Sequence, residues 1–272
     1  MRNAQRSDVS RHGHAVVRIR SVRPLVRYVD ESQAIVDVHF TLYPILPADG
    51  SPPPDRPGVE VRVDLDSSDG FHDEGGCVTR LDEQYHGSVR FEIVCPARWW
   101  PSGLGEQALY DVTVNVGLPG GVADRRSVTL GMTSVREDHL TNTYNLEQTL
   151  LVNGQVLAIE HLIHVDKISE NRLLPATGGS LLMVRDHFGT DVLYDAADRA
   201  GILLVQCVPI PADDAKFEAW VEDHVERLAP HPSLAGWFVG HLGRMRDRVA
   251  DRIQQLDPTH AIFRDMPLQP AA

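Results

Sequence analysis

Two periodicities divide the chain. From about residue 14 to 136, apolar and polar residues alternate over strand lengths in "HAVVRIRSVRPLVRYV", "QAIVDVHFTLYPI", "GVEVRVDLDSS", "GSVRFEIVCP", "ALYDVTVNVGL" and "RRSVTLGMTSV". Side chains two apart share a face of a strand, so each segment presents one apolar face to a core. Clusters of Gly, Pro and Asp separate the segments. Six or seven strands at this spacing predict an immunoglobulin-like sandwich. The proline-rich run at 44–58 has no period and predicts an exposed loop between two strands.

After about residue 144 the period changes. "TLLVNGQVLAIEHLIHV" reads as a strand pair around an Asn153-Gly154 turn. "SLLMVRDHF", "ILLVQCVPI" and "LAGWFVG" are continuous apolar runs, the mark of strands buried on both sides. Between them, Val192, Leu193, Ala196, Ala197 and Ala200 recur at helical spacing, with Thr190 as a cap and Gly201 as a stop. "DAKFEAWVEDHVERLA" gathers Phe217, Trp220, Val221 and Val225 on one helical face, and "RMRDRVADRIQQLD" is a further helix before a last strand, "HAIFRD". Strand and helix in alternation predict a parallel sheet covered on both faces. The expected organisation is a basic tail at 1–13, a sandwich at 14–137, a linker at 138–149 and an α/β unit at 150–272.

Composition narrows the function classes. The 272 residues carry 38 acidic and 26 basic side chains, a net charge of −12, which repels nucleic-acid backbone and anionic lipid. Seven arginines between Arg2 and Arg27 crowd the start and read as a solvated tail running into the first strand. Three cysteines, Cys77, Cys95 and Cys207, offer neither a disulfide framework nor metal spacing and read as buried free thiols. The start has no apolar segment of the signal-peptide kind, and no apolar run approaches the roughly 20 residues of a membrane helix. The expectation is a cytoplasmic protein without nucleic-acid or membrane partners.

Several motifs in order resemble a known family. "WWPSGLGEQALY" (99–110) resembles the end of the immunoglobulin-like domain of glycoside hydrolase family 2, the group of β-galactosidases, β-glucuronidases and β-mannosidases. "LLVNGQVLAIE" (150–160) resembles the family's first barrel strand, and "VLYDAADRAGILLVQ" (192–206) a helix and third strand. "HPSLAGWFVG" (231–240) resembles the fourth strand, and "QQLDPTHAI" (254–262) the next helix and fifth strand. The resemblance covers roughly residues 90–264. It implies a sandwich followed by a partial (β/α) barrel of about four to five strands. A closed eight-stranded barrel usually takes about 250 residues, about twice the stretch from Gln148 to Ala272.

The departures from the family pattern bear on chemistry. The family's fourth strand ends Gly-Asn-Glu, the glutamate being its acid/base; here the chain reads Gly240-His241-Leu242. Leucine cannot donate a proton to a leaving oxygen. The family's nucleophile, carried on a seventh strand, has no counterpart in the matched motifs, and retaining glycosidases need two carboxylates about 5–5.5 Å apart. The expectation is therefore a catalytically silent relative that binds carbohydrate or a protein partner. The other reading is an active retaining β-glycosidase with relocated or partner-supplied carboxylates.

Candidate cleft residues are Glu160, Arg185, Asp186, His187, Trp237 and His241, read as lying at strand ends where barrel enzymes keep their sites. The family's Arg-x-x-His is one residue tighter here, at Arg185-Asp186-His187. Glu160 and Asp186 also have a plain reading as helix caps or partners of Arg185. His161 and His164 point to opposite faces if they share a strand, so no metal site is expected. No glycine-rich phosphate loop, serine elbow or Cys–His dyad is visible, and no cofactor is expected. An open sheet leaves two edges, which are covered either by a segment such as 166–180 or by a second chain; a homodimer is the favoured form.

Overall fold

The computed structural model describes residues 16–45, 59–67, 70–79, 85–118, 121–137, 149–167, 180–210, 217–240 and 243–264. The sandwich holds seven strands: β1 (Val16–Val29), β2 (Gln33–Ile45), β3 (Val59–Ser67), β4 (His72–Thr79), β5 (His86–Val94), β6 (Tyr110–Leu118) and β7 (Gly121–Leu130). They form an antiparallel three-stranded sheet, β1-β2-β5, and an antiparallel four-stranded sheet, β4-β3-β6-β7. The alternation explains the packing. Val36, Val38, Phe40 and Leu42 of β2 face Val61, Val63 and Leu65 of β3 and Val112, Val114 and Val116 of β6 across a continuous apolar core. Strand β4 gives little sequence signal, because "HDEGGCVT" is mostly polar or glycine; β3 supplies its ladder.

Three short strands, β8 (Val135–Glu137), β9 (Thr149–Val152) and β10 (Gln155–Ala158), form a small antiparallel sheet in the order β10-β9-β8. The β9–β10 hairpin turns at Asn153 and Gly154, both with positive φ, as the Asn-Gly pair predicts. Five parallel strands complete the chain: β11 (His161–Val165), β12 (Ser180–Val184), β13 (Leu203–Cys207), β14 (Leu234–Phe238) and β15 (Ala261–Phe263). They are hydrogen-bonded in sequential order. Helices α1 (Asp191–Ala200), α2 (Phe217–Leu228) and α3 (Arg244–Leu256) connect them.

Sequential parallel order with right-handed crossovers keeps helices on one side. All three described helices accordingly pack on a single face, against Leu182, Val184, Leu204, Leu234 and Trp237. The opposite face packs against Trp99, Val135, Leu150 and Val152, from the end of the sandwich and the β8–β10 sheet. The sheet is covered on both faces, as expected, but by different layers: helices cover one face, and a β layer covers the other. Helix α1 begins at Thr190, whose hydroxyl accepts from the Leu193 N–H, and ends at Gly201 in the left-handed region at φ 70, as read from sequence. Its buried face is Leu193, Tyr194, Ala197 and Asp198, whereas Val192 is exposed. A buried Asp carries no hydrophobic signal, so the period alone rotates the face by one position.

Candidate functional site

Strand parity sets which side chains reach the rim of the parallel sheet. On β11, Leu162 joins the β-covered face while Val165 joins the helical face, so His164 shares the side of Leu162. On β12, Leu181 and Met183 share that side, and Arg185 continues it just beyond the strand. On β13, Leu203 and Val205 lead to Cys207, and on β14 Phe238 lies on the same side. His164, Arg185, Cys207 and Phe238 therefore converge at the C-terminal ends of four adjacent strands.

The electrostatics of this group are asymmetric. Arg185 is exposed, and among the described residues its guanidinium has no ion-pair or hydrogen-bond partner. Burial, helped by the Arg185 charge, holds the His164 imidazole below its usual pKa, so His164 is neutral at pH 7. Its Nδ1 is buried and has no hydrogen-bond partner among the described residues. Burial pushes the Cys207 thiol up to about 12 against the opposing pull of Arg185. Such a thiol is a poor nucleophile at neutral pH. Alkylation with iodoacetamide at pH 8 is expected to label exposed Cys95 at least about tenfold faster than Cys207, as expected when the thiolate is scarce. Mass spectrometry of the two peptides reads this out, and equal rates would contradict the placement of Cys207.

The exposed thiol of Cys95 corrects the expectation that the cysteines are buried. It sits just past β5 in the left-handed region at φ 51, where the chain leaves the sheet. The side chain of Cys77 lies outside the described residues.

The segment after β12 carries the rim. Arg185 N–H donates to Val165 O at 2.9 Å, tying the end of β12 to β11. Asp186 adopts φ 64, uncommon for a non-glycine residue, and the His187 Nδ1–H donates to Arg185 O at 2.7 Å. Beneath them Gln206 is fully buried and uses both ends of its amide. Its oxygen accepts from Gly189 N–H at 3.0 Å and Tyr194 O–H at 3.2 Å. Its nitrogen donates to His187 O at 2.8 Å and Cys207 O at 2.6 Å. Gln206 thus pins the rim segment to β13 and α1, a role its place in an apolar run does not announce. Replacing it leaves several buried polar groups unpaired, so Gln206→Leu is expected to cost about 1–3 kcal/mol. Amide exchange at Gly189 should accelerate before that of the strand cores; unchanged protection would contradict the brace.

Strand β14 delivers the next rim position. Gly240 has φ 74, and a Cβ there would fall 2.2 Å from the Arg246 guanidinium. Arg246 packs over it and donates to Val239 O. His241 and Leu242, the next two positions, lie outside the described residues, as does the bulk of the 166–180 segment.

Two sequence candidates move. Glu160 precedes β11, at the N-terminal end of the sheet, because "LLVNGQVLA" folds back as the β9–β10 hairpin and the first parallel strand starts only at His161. The acid at the C-terminal end of β11 is instead Asp166, which already has a partner. Trp237 is fully buried on the helical face, its indole N–H donating to Asp257 Oδ2 at 2.8 Å. A bulge causes this: Leu204 pairs with Leu234 but Val205 with Gly236, so Ala235 is an inserted residue and the face of Trp237 flips.

Among the described residues, two groups have the composition of a metal centre, and neither lies at this rim. Around Asp64, His72 and Glu74, Arg62 already bridges both carboxylates, at 2.9 and 2.8 Å. In the group of Asp195, Asp198 and His231, Asp198 takes the His231 imidazole at 2.7 Å and the Ser233 N–H at 3.1 Å. The rim can therefore donate hydrogen bonds from Arg185 and accept at His164. Its carboxylates among the described residues are Asp166 and Asp186, at the ends of neighbouring strands.

No family model matches the chain. By sequence it is similar to β-mannosidase A of Neosartorya fischeri, 27% identical over 76% of this chain and 26% of that protein. It is also similar to β-mannosidase A of Aspergillus aculeatus, 31% identical over 60% of this chain and 21% of that protein. By fold it resembles a glycosyl hydrolase family 2 member from Bacteroides cellulosilyticus, with a TM-score of 0.68 and 17% identity over 92% of this chain and 36% of that one. The chain spans about a quarter of the length of the β-mannosidases it matches.

Proposed function

Because this chain is a relative of glycoside hydrolase family 2 in sequence and fold, we propose that it is a non-catalytic member of that group, binding carbohydrate at the strand-end rim. On this reading the two-sheet unit is immunoglobulin-like, and the parallel sheet corresponds to the first five strands of a (β/α) barrel. Sequential strand order with the helices on one face supports the barrel comparison. A cleft at the C-terminal ends is where such folds bind ligands.

One observation carries the non-catalytic half. Leu242 stands where the family's acid/base glutamate is expected, and an aliphatic side chain removes general acid help worth about 10²–10⁴ in rate. What remains suits recognition of hydroxyls: a guanidinium with no partner among the described residues as donor, and a neutral imidazole beside it. Saturation-transfer NMR with methyl β-mannoside, β-galactoside, β-glucoside and β-glucuronide tests this. At least one should bind saturably, and Arg185→Gln should weaken it about tenfold or more, the loss of one charged hydrogen bond. Binding of none, or binding indifferent to Arg185→Gln, would remove the carbohydrate reading in favour of a protein ligand.

A second reading has its own support. Asp166 and Asp186 stand at neighbouring strand ends, a geometry in which relocated carboxylates could serve a retaining β-glycosidase. The sheet's outer strands, β11 and β15, have one neighbour each among the described residues, and a second copy adding there would complete the rim. Sedimentation showing only monomer at micromolar concentration would remove the dimer.

A further inference from the structure

A cleft of about 500 Å³ opens at the other end of the parallel sheet, in the seam between the sandwich and the α/β unit. Its walls are residues 26–29 of β1, residues 133–136, Gln254 of α3 and residues 258–262 leading into β15. In a chain with a net charge of −12, no Asp or Glu lines it. Its ionisable groups are Arg27, Arg136, His260 and the Tyr28 phenol.

The positive charge there is incompletely neutralised. Arg136 is exposed and, among the described residues, has no ion-pair or hydrogen-bond partner; it lies close enough to the Tyr28 phenol to act on it electrostatically. Arg27 shares the single carboxylate of Asp37 with Arg90, so two guanidiniums face one acid. Two acids next to lining residues are already engaged. Asp30 accepts from the Tyr28 O–H at 2.6 Å, and fully buried Asp257 takes the His260 Nδ1 at 2.8 Å. The Ser134 hydroxyl, from another lining residue, has no partner among the described residues. Inorganic phosphate alone would leave most of this volume unfilled, and cavities of this size hold small organic molecules.

We propose that this seam cleft binds a small polyhydroxylated molecule bearing a phosphate or sulfate group, with the anion on Arg136 and the hydroxyls on the Ser134 side. Charge-assisted hydrogen bonds from a guanidinium to a tetrahedral oxyanion supply the main attraction. Because the site lies at the N-terminal end of the sheet, it is independent of the rim around Arg185.

Isothermal titration at low ionic strength tests it, using glucose 6-phosphate, glucose 6-sulfate, inorganic phosphate and glucose as probes. In the Arg185→Gln background, which weakens carbohydrate binding at the rim, the two charged sugars should saturate at or below about millimolar concentration, inorganic phosphate more weakly, and glucose more weakly still. The stronger of the two charged sugars identifies the oxyanion. In the same background Arg136→Gln should weaken binding of the charged sugars about tenfold or more, and Ser134→Ala by a smaller factor. Arg136 and Ser134 are not core residues, so both variants are expected to fold. The proposal is overturned if neither charged sugar saturates, if Arg136→Gln is without effect, or if potassium chloride at matched ionic strength gives the same heat.

Discussion

Trp99→Ala is expected to destabilise the protein by about 3–5 kcal/mol, the range for emptying a buried tryptophan site. Trp99 is fully buried and belongs to the core that joins the sandwich to the underside of the parallel sheet. Its backbone is held from both sides: the N–H donates to Met132 O at 3.0 Å, and its carbonyl accepts from Asn153 Nδ2 at 2.9 Å. The indole N–H donates to Asp198 O at 2.7 Å, close to where Asp198 grips His231. The Ser102 N–H reaches Gly201 O at 2.8 Å alongside. Trp99, through its backbone and its indole together, therefore couples the end of the sandwich, the hairpin and α1. Chemical denaturation followed by near-UV circular dichroism should show a lower midpoint and a transition that splits as the two units uncouple. Trp99→Phe keeps most of the packing but leaves the Asp198 carbonyl unpaired, and should cost about 1–3 kcal/mol. An unchanged midpoint in Trp99→Ala would contradict the seam as described.

The second large effect belongs to Asp257, which ends α3. It is fully buried, and its carboxylate receives the Trp237 indole N–H, the Thr259 hydroxyl and the His260 imidazole. Burial alone would raise its pKa, but the charge and hydrogen bond of His260, with those from Thr259 and Trp237, outweigh it and hold the carboxyl at about 2. Asp257→Ala leaves the Trp237 indole N–H, the Thr259 hydroxyl and the His260 imidazole without their buried acceptor and is expected to cost about 3 kcal/mol or more, at about 1–3 kcal/mol for each buried group left unpaired. The depressed pKa sets the sign of the pH dependence. A carboxyl depressed on folding stabilises fully above its unfolded pKa of about 4, and that contribution is lost as pH falls towards about 2. Asp37, held at about 2 chiefly by its hydrogen bonds to Arg90, titrates over the same interval. The comparison between the natural chain and Asp257→Asn isolates the Asp257 share: the variant's unfolding free energy should fall less steeply between pH 4 and pH 2.

Most of the architecture is legible in the sequence because burial and secondary-structure period agree. The alternation in β2, β3 and β6 marks the sandwich core, and Thr190 and Gly201 mark both ends of α1. The failures share a cause, since each depends on tertiary pairing that a local pattern does not contain. Strand β4 is polar and exists because β3 offers it a ladder. Trp237 reads as a rim residue until the insertion at Ala235 turns it towards Asp257. Glu160 reads as a strand end until the hairpin shifts the parallel strand to His161.

At the site, Arg185, Asp186 and His187 are readable from sequence and do sit together after β12. His164 and Asp166 escape a sequence reading of the rim, because the pattern places the first parallel strand one hairpin too early. Gln206 gives no signal at all: its importance lies in four hydrogen bonds, three of them to residues 12–19 positions earlier.

Turnover of 2,4-dinitrophenyl β-mannoside, β-galactoside, β-glucoside and β-glucuronide bears most directly on the non-catalytic reading. Dinitrophenolate departs without protonation, so these substrates need no acid at position 242 and report any carboxylate able to attack. The expected result is release no faster than for the Asp166→Asn, Asp186→Asn double variant on every substrate. Saturable turnover that the double variant abolishes would contradict the account and identify a relocated catalytic pair.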